Sequence, residues 1–331
     1  MLTFGLIPHG GFDPLFLLLA ALVLDAYLGE MDVIFRRLPH PVVIIGRAID
    51  RLDRKLNRET RGDMDRRVRG LIAVIMILLP CAALGWIIAW LSQHFPFGWA
   101  VELTLIVTLI AQRSLYDHVA AVRAGLKTGG LEGGRLAVAK IVGRDPLQLD
   151  GHGVARAAIE SAAENFSDGV VAPIFWYLLF GLPGLLVYKA VNTLDSMIGH
   201  RTPRHQAFGM AAARLDDILN LIPARLAGLI LCCAALFVPK GNPVKALTTM
   251  LRDAGKHRSP NAGWPEGAMA GALGLALAGP RRYREAVVED PWIGSGRARA
   301  TPSDIRSALH MLAVGCLISA GLVLLAILLR F

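Results

Sequence analysis

Charged residues are scarce in this chain of 331 residues. Asp, Glu, Lys and Arg make up 18% of it, whereas apolar residues make up 54%; a typical soluble domain carries about 25% charge. This balance excludes a disordered chain, a collagen-like repeat and a charged coiled coil, and it argues against an ordinary soluble enzyme. The net charge of +9 does not by itself indicate nucleic-acid binding, because basic residues also accumulate in the cytoplasmic loops of membrane proteins.

Cysteine is scarce too, and CxxC spacing is absent. Cys81, Cys232, Cys233 and Cys316 lie in apolar stretches, so we expect them to pack as small apolar side chains and not to bind zinc or form disulfides. The chain also lacks the GxxxxGK[ST], GxGxxG, GxSxG and HExxH motifs. Any nucleotide site is therefore of neither the P-loop nor the Rossmann type.

Long apolar runs predict an all-α, polytopic integral membrane protein with about four to six transmembrane helices. The runs that are long enough to span a bilayer are 12–28, 70–92 and 308–329. The weaker candidates are 98–112, 170–190 and 218–238. A signal peptide has Lys or Arg before its apolar run, and none precedes the run 12–28. We therefore expect this run to remain as a membrane anchor.

Basic residues predict the orientation of these helices. Residues 29–69, 113–168 and 239–307 are basic and should form large cytoplasmic loops, which leaves both termini outside. The GLPG sequence at 181–184 predicts either a crossing or a re-entrant hairpin, and this choice decides the side on which residues 191–217 lie. We expect a single integral membrane domain over 1–331, without internal repeats and with an amphipathic helix pair at 115–142.

Polar side chains gather beside the apolar runs from about residue 143 onwards. On a helix, Arg156, Glu160 and Glu164 share one face, and Asn165 and Asp168 follow directly. Carboxylates at such a boundary are costly unless they are paired, hydrogen-bonded or bound to a cation. The alternative is purely structural, with an ion pair between Arg156 and Glu160 and with Asp168 as a cap.

Two more acidic-and-amide clusters and one basic cluster follow. Segment 189–204 carries Lys189, Asn192, Asp195, His200 and Arg201. Segment 214–225 carries Arg214, Asp216, Asp217 and Asn220, in which helical spacing pairs Asp216 with Asn220 and Arg214 with Asp217. Segment 252–266 carries Arg252, His257, Arg258, Asn261, Trp264 and Glu266. Carboxylate and amide oxygens suit Mg²⁺, and basic groups suit phosphate, although a basic segment beside the membrane can also contact anionic lipid.

These segments resemble the CobD/CbiB family, the adenosylcobinamide(-phosphate) synthases of cobalamin biosynthesis. The matching stretches are 40–49, 114–119, 137–146, 156–201, 213–226 and 252–274. The resemblance extends from about residue 20 to residue 285. Met31 departs from it, where the family pattern leads us to expect LGEP, but Met31 is far from the polar clusters in sequence.

The resemblance implies an ATP- and Mg²⁺-dependent ligase of the bacterial inner membrane. Such an enzyme joins the free propionate of adenosylcobyric acid to the amine of (R)-1-amino-2-propanol or of its O-phosphate. The implied partners are these substrates and the lipid bilayer, with no nucleic acid, and a homo-oligomer or other cobalamin-biosynthesis proteins are further candidates. The residues alone leave two alternatives open, a membrane transporter and a non-catalytic scaffold of a corrinoid-biosynthesis complex.

Each polar residue has an expected role in this hypothesis. The catalytic candidates, as general base or metal ligand, are Glu160, Glu164, Asp168 and Asp195. The metal candidates are Asp216 and Asp217, together with Glu164 and Asp168. The candidates for binding substrate or phosphate are Asn165, Lys189, Asn192, His200, Arg201, Arg214, Arg252, His257, Arg258 and Asn261.

Overall fold

A computed structural model describes residues 12–29, 35, 39–143, 145–200, 202–282, 287–288 and 290–330. Its helices in chain order are α1 (Pro14–Leu28), α2 (Pro41–Leu56), α3 (Asp63–His94), α4 (Gly98–Leu109), α5 (Gln112–Thr128), α6 (Gly130–Val138), α7 (Gly151–Phe166), α8 (Ala172–Ile198), α9 (Met210–Leu219), α10 (Leu221–Ala234), α11 (Pro243–Asp253), α12 (Gly263–Leu273) and α13 (Pro302–Leu328). A π-helical turn, Ser167–Val171, separates α7 from α8. Short 3-10 turns lie at Pro146–Gln148, Ala235–Phe237 and Ala254–Lys256.

The sheet content consists of two-residue strands near the end of the chain. They are β1 (Leu277–Ala278), β2 (Arg281–Arg282), β3 (Val287–Val288) and β4 (Trp292–Ile293). Strand β1 pairs antiparallel with β4, and β2 pairs antiparallel with β3. The sequence patterns did not predict these strands, which are too short to show an alternating pattern.

The chain forms two compact units, each assembled from separate stretches of sequence. Unit 1 comprises residues 1–111, 172–220 and 323–331, and unit 2 comprises residues 112–171 and 221–322. The single domain expected over 1–331 stays a prediction. Within unit 2, α5 and α6 form the expected amphipathic pair, and they meet at Gly129.

Polar caps followed by proline begin several helices. The Asp13 carboxylate accepts a hydrogen bond from the Leu15 N–H at 2.8 Å at the start of α1, and Asn242 accepts one from Lys245 N at 2.8 Å at the start of α11. Proline follows each cap because the first helical N–H has no partner within the helix. Helix α7 begins with Asp150, which accepts from Gly153 N at 2.6 Å.

Three helical stretches among the described residues are long and apolar enough to cross a membrane. They are Asp63–His94, Gly151–Ile198 and Pro302–Leu328, and the bent pair Met210–Leu219 and Leu221–Phe237 makes a fourth if it counts as one span. The chain is therefore an all-α, polytopic membrane protein, as the sequence predicts. The predicted runs 70–92 and 308–329 lie inside the first and third of these stretches.

Within the described residues the spans number three, just below the expected four to six, or four if the bent pair is one span. Helix α1 has 15 residues and therefore a length of about 22 Å, which is short for about 30 Å of hydrocarbon. Helix α4 has 12 residues and ends at Leu109, so it is shorter still than the weak candidate run. Apolar composition predicted the location of these helices but not their lengths.

The GLPG sequence interrupts α8 as its composition predicts. Gly181 has φ 65° and ψ −153°, a backbone conformation outside the helical region, and Pro183 follows inside the helix. A residue with a Cβ would be strained at Gly181. The backbone break is thus present, while a re-entrant path stays a prediction.

A hydrophobic core in unit 1 fixes the helices that carry the acidic clusters. Leu194 and Ile198 of α8 and Ala212 of α9 are buried together, and Phe208 of the connecting segment joins them. The other members of this core come from α2, α3 and α8: Ile49, Ala73, Val74, Ile77 and Ala190. Because close-packed interiors leave little freedom, the facing side chains of α8 and α9 have a defined spacing.

Unit 2 is rich in small buried residues, and α11 and α12 pack closely. A Cβ on Gly267 would lie 2.9 Å from Met250 Cα, and one on Gly271 would overlap the Lys245 carbonyl oxygen. The GAMAG run at 267–271 is therefore a helix-packing motif. Of the four cysteines, Cys232 is buried, Cys81 and Cys316 are half-buried, and Cys233 is exposed.

Candidate functional site

The acidic residues of unit 1 meet where the C-terminal turns of α8 face α9. Asp195 lies near the end of α8, and Asp216 and Asp217 lie in the second half of α9. Asp216 interacts electrostatically with both Asp195 and Asp217. Segment 199–209 connects the two helices, so its path decides how closely these carboxylates approach one another. We refer to Asp195, Asp216 and Asp217 as the acidic cluster.

Asp216 is the least satisfied member of the acidic cluster. The Asn220 amide donates a hydrogen bond to its Oδ2 at 3.0 Å, and the Tyr188 hydroxyl donates to Asn220 Oδ1 at 3.0 Å. The Asn192 side chain also approaches this carboxylate. Asp216 Oδ1 is nevertheless buried without a hydrogen-bond partner of normal geometry among the described residues. A buried carboxylate oxygen without a donor is costly, and a bound cation would remove that cost.

Asp195 and Asp217 are close to each other and to the basic side chains of His200 and Arg214. Asp195 interacts with Asp217 and with His200. The Arg214 guanidinium reaches Asp217 at 4.0 Å and is mostly exposed to solvent. Any Cβ at Gly199 would overlap Asp195 Oδ1, so the chain approaches this carboxylate as closely as glycine allows. The acidic cluster therefore brings three carboxyl groups together, with His200 and Arg214 as basic side chains beside them.

The donor set fits a hard cation, but it does not form a complete cage. No group of three or more His, Cys, Asp or Glu residues within the described ranges is arranged to hold a metal ion. Mg²⁺ commonly uses only one or two carboxylates, and its other ligands are water and substrate phosphates. The buried Oδ1 of Asp216 supplies one unsatisfied oxygen of this kind.

A second polar group lies in unit 2, at the C-terminal end of α7. Glu160 is buried, and its Oε1 accepts a hydrogen bond from Ala278 N at 2.8 Å, whereas Glu164 and Asn165 are exposed. Asn165 donates to the Ser161 carbonyl oxygen at 2.9 Å. Asp168 is half-buried in the π-helical turn, a backbone feature that is frequent at functional sites.

Arg156 and Glu160 contact different parts of unit 2. Arg156 donates to the Ala298 carbonyl oxygen at 2.5 Å and lies 5.5 Å from the centre of the Trp292 ring. Glu160 holds the backbone of β1. Glu160 therefore has a structural contact, and a catalytic role for it stays a prediction.

The basic segment of unit 2 is built around a carboxylate that is 0% exposed, Asp253. Arg252 donates to its two oxygens at 2.8 and 2.6 Å, Lys256 Nζ lies 2.7 Å from Oδ1, and Gly294 N donates to Oδ2 at 2.8 Å. The Arg252 guanidinium holds the pKa of Asp253 well below its usual range, and Lys256 and Gly294 add to this effect. Arg252 therefore already has an internal anion as its partner.

The residues after Asp253 line a small pocket in unit 2. Lys256, His257, Arg258 and Asp290 contribute to a cavity of about 80 Å³. Arg258 Nε lies 2.7 Å from Asp290 Oδ1, and His257 Nε2 lies 3.8 Å from Glu266 Oε1. A cavity of this volume can hold water molecules or a small polar group.

Asn261 belongs to a neighbouring contact in unit 2. Arg225 NH1 donates to Asn261 Oδ1 at 3.3 Å, and the Arg225 guanidinium lies 4.4 Å from the centre of the Trp264 ring. This cation–π contact fixes Arg225 within an otherwise apolar helix. The amide of Asn261 is thereby oriented by protein contacts.

Comparison with known proteins gives a consistent result over almost the whole chain. The family described as CobD/Cbib protein matches residues 18–312. The chain belongs to the CobD/CbiB family. A relative from Sinorhizobium sp, named Cobalamin biosynthesis protein CobD, is 52% identical over 313 residues, which cover 94% of this chain and 97% of the relative.

Other members of the CobD/CbiB family have the same name. The protein of Rhizobium meliloti (strain 1021) is 48% identical and covers 91% of this chain and 93% of its own length. The protein of Rhodobacter capsulatus is 47% identical over 298 residues, or 89% of this chain and 91% of its own. No solved structure matches this chain.

The structure brings together only part of the residue set expected for this CobD/CbiB member. In unit 1, Asp195, His200, Asp216 and Asp217 interact, Asn192 joins them, and Lys189 lies nearly two turns before Asp195 on the same helix. In unit 2, Glu164, Asn165 and Asp168 form one group, and Arg252, His257, Arg258 and Asn261 lie in the connection from α11 to α12. Arg201 lies outside the described residues.

Several residues that shape these groups were not among the predicted site residues. Tyr188 and Asn220 hold Asp216, and Arg225 holds Asn261. Asn220 could have been included because its i,i+4 spacing to Asp216 was recognised. Tyr188 and Arg225 gave no sequence signal, because an aromatic or basic residue in an apolar helix does not indicate its partner.

Proposed function

We propose that this CobD/CbiB member acts in cobalamin biosynthesis as an ATP-dependent amide ligase, an adenosylcobinamide(-phosphate) synthase. It would join adenosylcobyric acid to (R)-1-amino-2-propanol or its O-phosphate and release adenosylcobinamide or its phosphate. Membership of the family and the names of the relatives support the pathway. The acidic cluster, with the unsatisfied oxygen of Asp216, is the observation that supports the reaction type.

Amide formation needs activation of the acid and deprotonation of the amine. A carboxylate and an ammonium group do not condense at neutral pH, so the propionate must first receive a phosphoryl or adenylyl group from ATP. The neutral amine then attacks the carbonyl carbon, the C–N bond forms, and phosphate or AMP leaves. ADP and phosphate, or AMP and pyrophosphate, balance the reaction, and one proton passes to a base.

The acidic cluster suits the base and the metal site in this scheme. Asp195 is the candidate base, since it is only half-buried and can meet an incoming ammonium group. Asp216 and Asp217 would hold Mg²⁺, which would neutralise charge on the phosphates of ATP. Glu164 and Asp168 of unit 2 are further candidates for metal binding, and Glu160 is the weakest catalytic candidate because it holds Ala278 N.

Phosphate and amide recognition would fall to the basic and amide side chains. His257 and Arg258 line the cavity of about 80 Å³. Arg252 and Arg258 are each paired with a carboxylate, Asp253 and Asp290, so a bound phosphate would have to share or displace that partner. The other candidates are Lys189, His200, Arg201 and Arg214 for phosphate, and Asn165, Asn192 and Asn261 for the amides of a corrinoid.

A membrane transporter is the second candidate function. The backbone break at Gly181 inside a long apolar helix favours it, because broken helices often form transport sites. A large and partly apolar corrinoid substrate would explain the same membrane-embedded architecture for a ligase of the bacterial inner membrane.

Product formation by the purified protein in detergent tests the ligase. Adenosylcobyric acid, ATP and Mg²⁺ would be supplied, with aminopropanol and its O-phosphate in separate reactions, and the corrinoid mass would be followed. We expect a product of the amide's mass with one amine. No product with either amine, from folded protein, would contradict the proposal, and uptake of corrinoid into vesicles would then test the transporter.

A further inference from the structure

A buried polar network in unit 1 lies outside the residues assigned so far. Asp53 near the end of α2, Asn57 just after it and Arg66 in the first turn of α3 are 8%, 3% and 7% exposed. We call these three residues the polar triad. Most charged side chains in α2 and α3 are exposed, so the burial of these three needs a physical reason.

The polar triad is internally connected. Arg66 Nε donates to Asn57 Oδ1 at 2.9 Å, and Asn57 Nδ2 donates to Asp53 Oδ1 at 2.7 Å. Each member therefore orients the next. Burial by itself raises the pKa of Asp53, but hydrogen bonds from Arg204 and Asn57 lower it below the usual range, so Asp53 is charged at neutral pH.

The remaining hydrogen-bonding capacity of the polar triad is directed at one short segment, 202–205. Asn57 Nδ2 donates to the Arg204 carbonyl oxygen at 2.9 Å, and Arg66 NH2 donates to the same oxygen and to the Pro203 carbonyl oxygen at 3.4 Å. In return, Arg204 NH2 donates to Asp53 Oδ2 at 2.6 Å. His205 Nε2 lies 3.6 Å from Asp53 Oδ1.

These contacts hold both the main chain and the side chain of Arg204. A network that only stabilised the turn between α2 and α3 would close on residues 53–66 themselves. Here the donors of Asn57 and Arg66 end on carbonyl groups of a distant segment. Buried polar networks of this kind rigidify the segments that they join and so favour a single arrangement of them.

The anchored segment is the connection between the two helices of the acidic cluster. It leaves α8 four residues after Asp195 and enters α9 six residues before Asp216. Phe208 lies near the end of this connection. It is 1% exposed and packs into the same core as Leu194 and Ala212. The polar triad holds the middle of the connection, and the core holds its end.

We propose that Asn57 and Arg66 are positioning residues, which fix segment 202–205 and so set the spacing of Asp195 and Asp216. This inference rests on the proposed function for its kinetic consequence, but its structural consequence does not depend on the reaction. Neither residue touches the acidic cluster in the contacts described, so each acts through the connection.

Trypsin supplies a test that needs no substrate. It cleaves after arginine, and the bond after Arg204 has as its carbonyl the group that Asn57 and Arg66 hold. In folded protein in detergent, Arg66→Lys and Asn57→Asp should each accelerate cleavage after Arg204 about tenfold, the effect of one lost charge-assisted hydrogen bond on local opening. Arg69→Lys is the matched control, because Arg69 lies one turn further along α3 in a partly exposed pair with Asp65 at 3.0 Å.

Kinetics supply the second readout. With saturating substrates, kcat of Arg66→Lys should fall about tenfold to a hundredfold, since displacement of a catalytic group by about 1 Å can cost that much. KM for the amine should change much less. The Asn57→Asp variant should behave in the same way, and Arg69→Lys should match wild type.

Each outcome decides a separate statement. Unchanged cleavage after Arg204 in both triad variants would contradict the proposal, as would faster cleavage with wild-type kcat. If the wild-type protein forms no product, the ligase proposal fails, whereas the cleavage rates still decide whether the polar triad holds the segment. Size-exclusion profiles identify a variant that has merely unfolded, and the other triad variant then gives the answer.

Discussion

Two aspartates, the half-buried Asp216 of unit 1 and the fully buried Asp253 of unit 2, have opposite electrostatic surroundings. Both oxygens of Asp253 accept hydrogen bonds, from Arg252 and from Gly294 N, and Lys256 lies 2.7 Å away. Asp216 has one amide donor on Oδ2, an unsatisfied Oδ1 and two carboxylates as neighbours. Asp253 is the more deeply buried residue and yet both of its oxygens have donors, whereas the half-buried Asp216 keeps one buried oxygen without a partner, so the difference lies in the partners rather than in burial.

The comparison separates a structural carboxylate from one that is suited to bind a ligand. Asp253 holds the backbone beside β4, and Glu160 holds β1 in the same way, so both stabilise one strand pair. Like charge gathered around an unsatisfied oxygen lowers stability, and native proteins retain such arrangements chiefly at functional sites. Among the described residues of unit 1, the acidic cluster combines such an oxygen with neighbouring carboxyl groups.

The largest expected effect is on turnover. Asp195→Asn removes the candidate base while keeping shape and size, so product formation should fall about 10²- to 10⁴-fold, with unchanged expression and membrane insertion. Corrinoid mass analysis with purified protein measures it. Asp117→Asn, from the exposed pair of Arg113 and Asp117 at 2.8 Å, is the control and should react normally. Wild-type turnover by Asp195→Asn would remove Asp195 from the mechanism.

Removal of the satisfied aspartate should affect stability instead. Asp253→Ala leaves the buried Gly294 N–H without its acceptor and separates Arg252 and Lys256 from their shared anion. We expect a loss of about 1–3 kcal/mol, seen as a lower thermal midpoint in detergent. Asp117→Asn again serves as the control, because an exposed pair contributes little. A midpoint equal to that of wild type would mean that Asp253 is not structural.

The opposite sign is expected at the acidic cluster. Asp216→Asn removes one of three neighbouring carboxyl groups, and with it the repulsion from Asp195 and Asp217, and retains a group that Asn220 can still contact. Its thermal midpoint should rise, by the equivalent of about 0.5–2 kcal/mol, while product formation falls. A thermal midpoint below that of wild type would show that repulsion within the acidic cluster does not lower stability. Asp216 and Asp253 would then not differ in the proposed way.

The smallest effect is a change in acid sensitivity. The folded-state pKa of Asp253 lies below its unfolded value of about 3.9, so the stability that it contributes is present above that pH. This contribution is lost progressively as pH falls from about 4 toward the folded pKa. Thermal midpoints measured between about pH 2.5 and 7 should therefore drop less steeply below pH 4 in Asp253→Asn than in wild type. Parallel curves for the two proteins would contradict this assignment.

The sequence predicted the features that depend on helix length and on the spacing of residues along one helix. The runs 70–92 and 308–329, the pairing of Asp216 with Asn220 and the approach of Arg214 to Asp217 all follow from periodicity and length. The break at Gly181 follows from glycine and proline chemistry.

Contacts between distant segments had no such signal. Glu160 is among the candidate catalytic residues, and that role stays a prediction. Its hydrogen bond from the Ala278 N–H could not be predicted, because every residue except proline carries the same backbone N–H. The polar triad could not be predicted for the same reason. Its partners are the backbone carbonyl groups of Pro203 and Arg204, and every residue has such a group. The π-helical turn at Ser167–Val171 depends on packing rather than on composition.

The polar triad also has a consequence for biosynthesis. Arg66 and its acceptor Arg204 are 138 positions apart in the chain. At about 5–20 residues per second, a ribosome needs roughly 7–28 s to add that length. Over this interval the side chains of Asp53, Asn57 and Arg66 must remain hydrated, because their acceptors and counter-charge do not yet exist. The first helices of unit 1 can therefore be made early, but their packing is completed only after Arg204 leaves the ribosome.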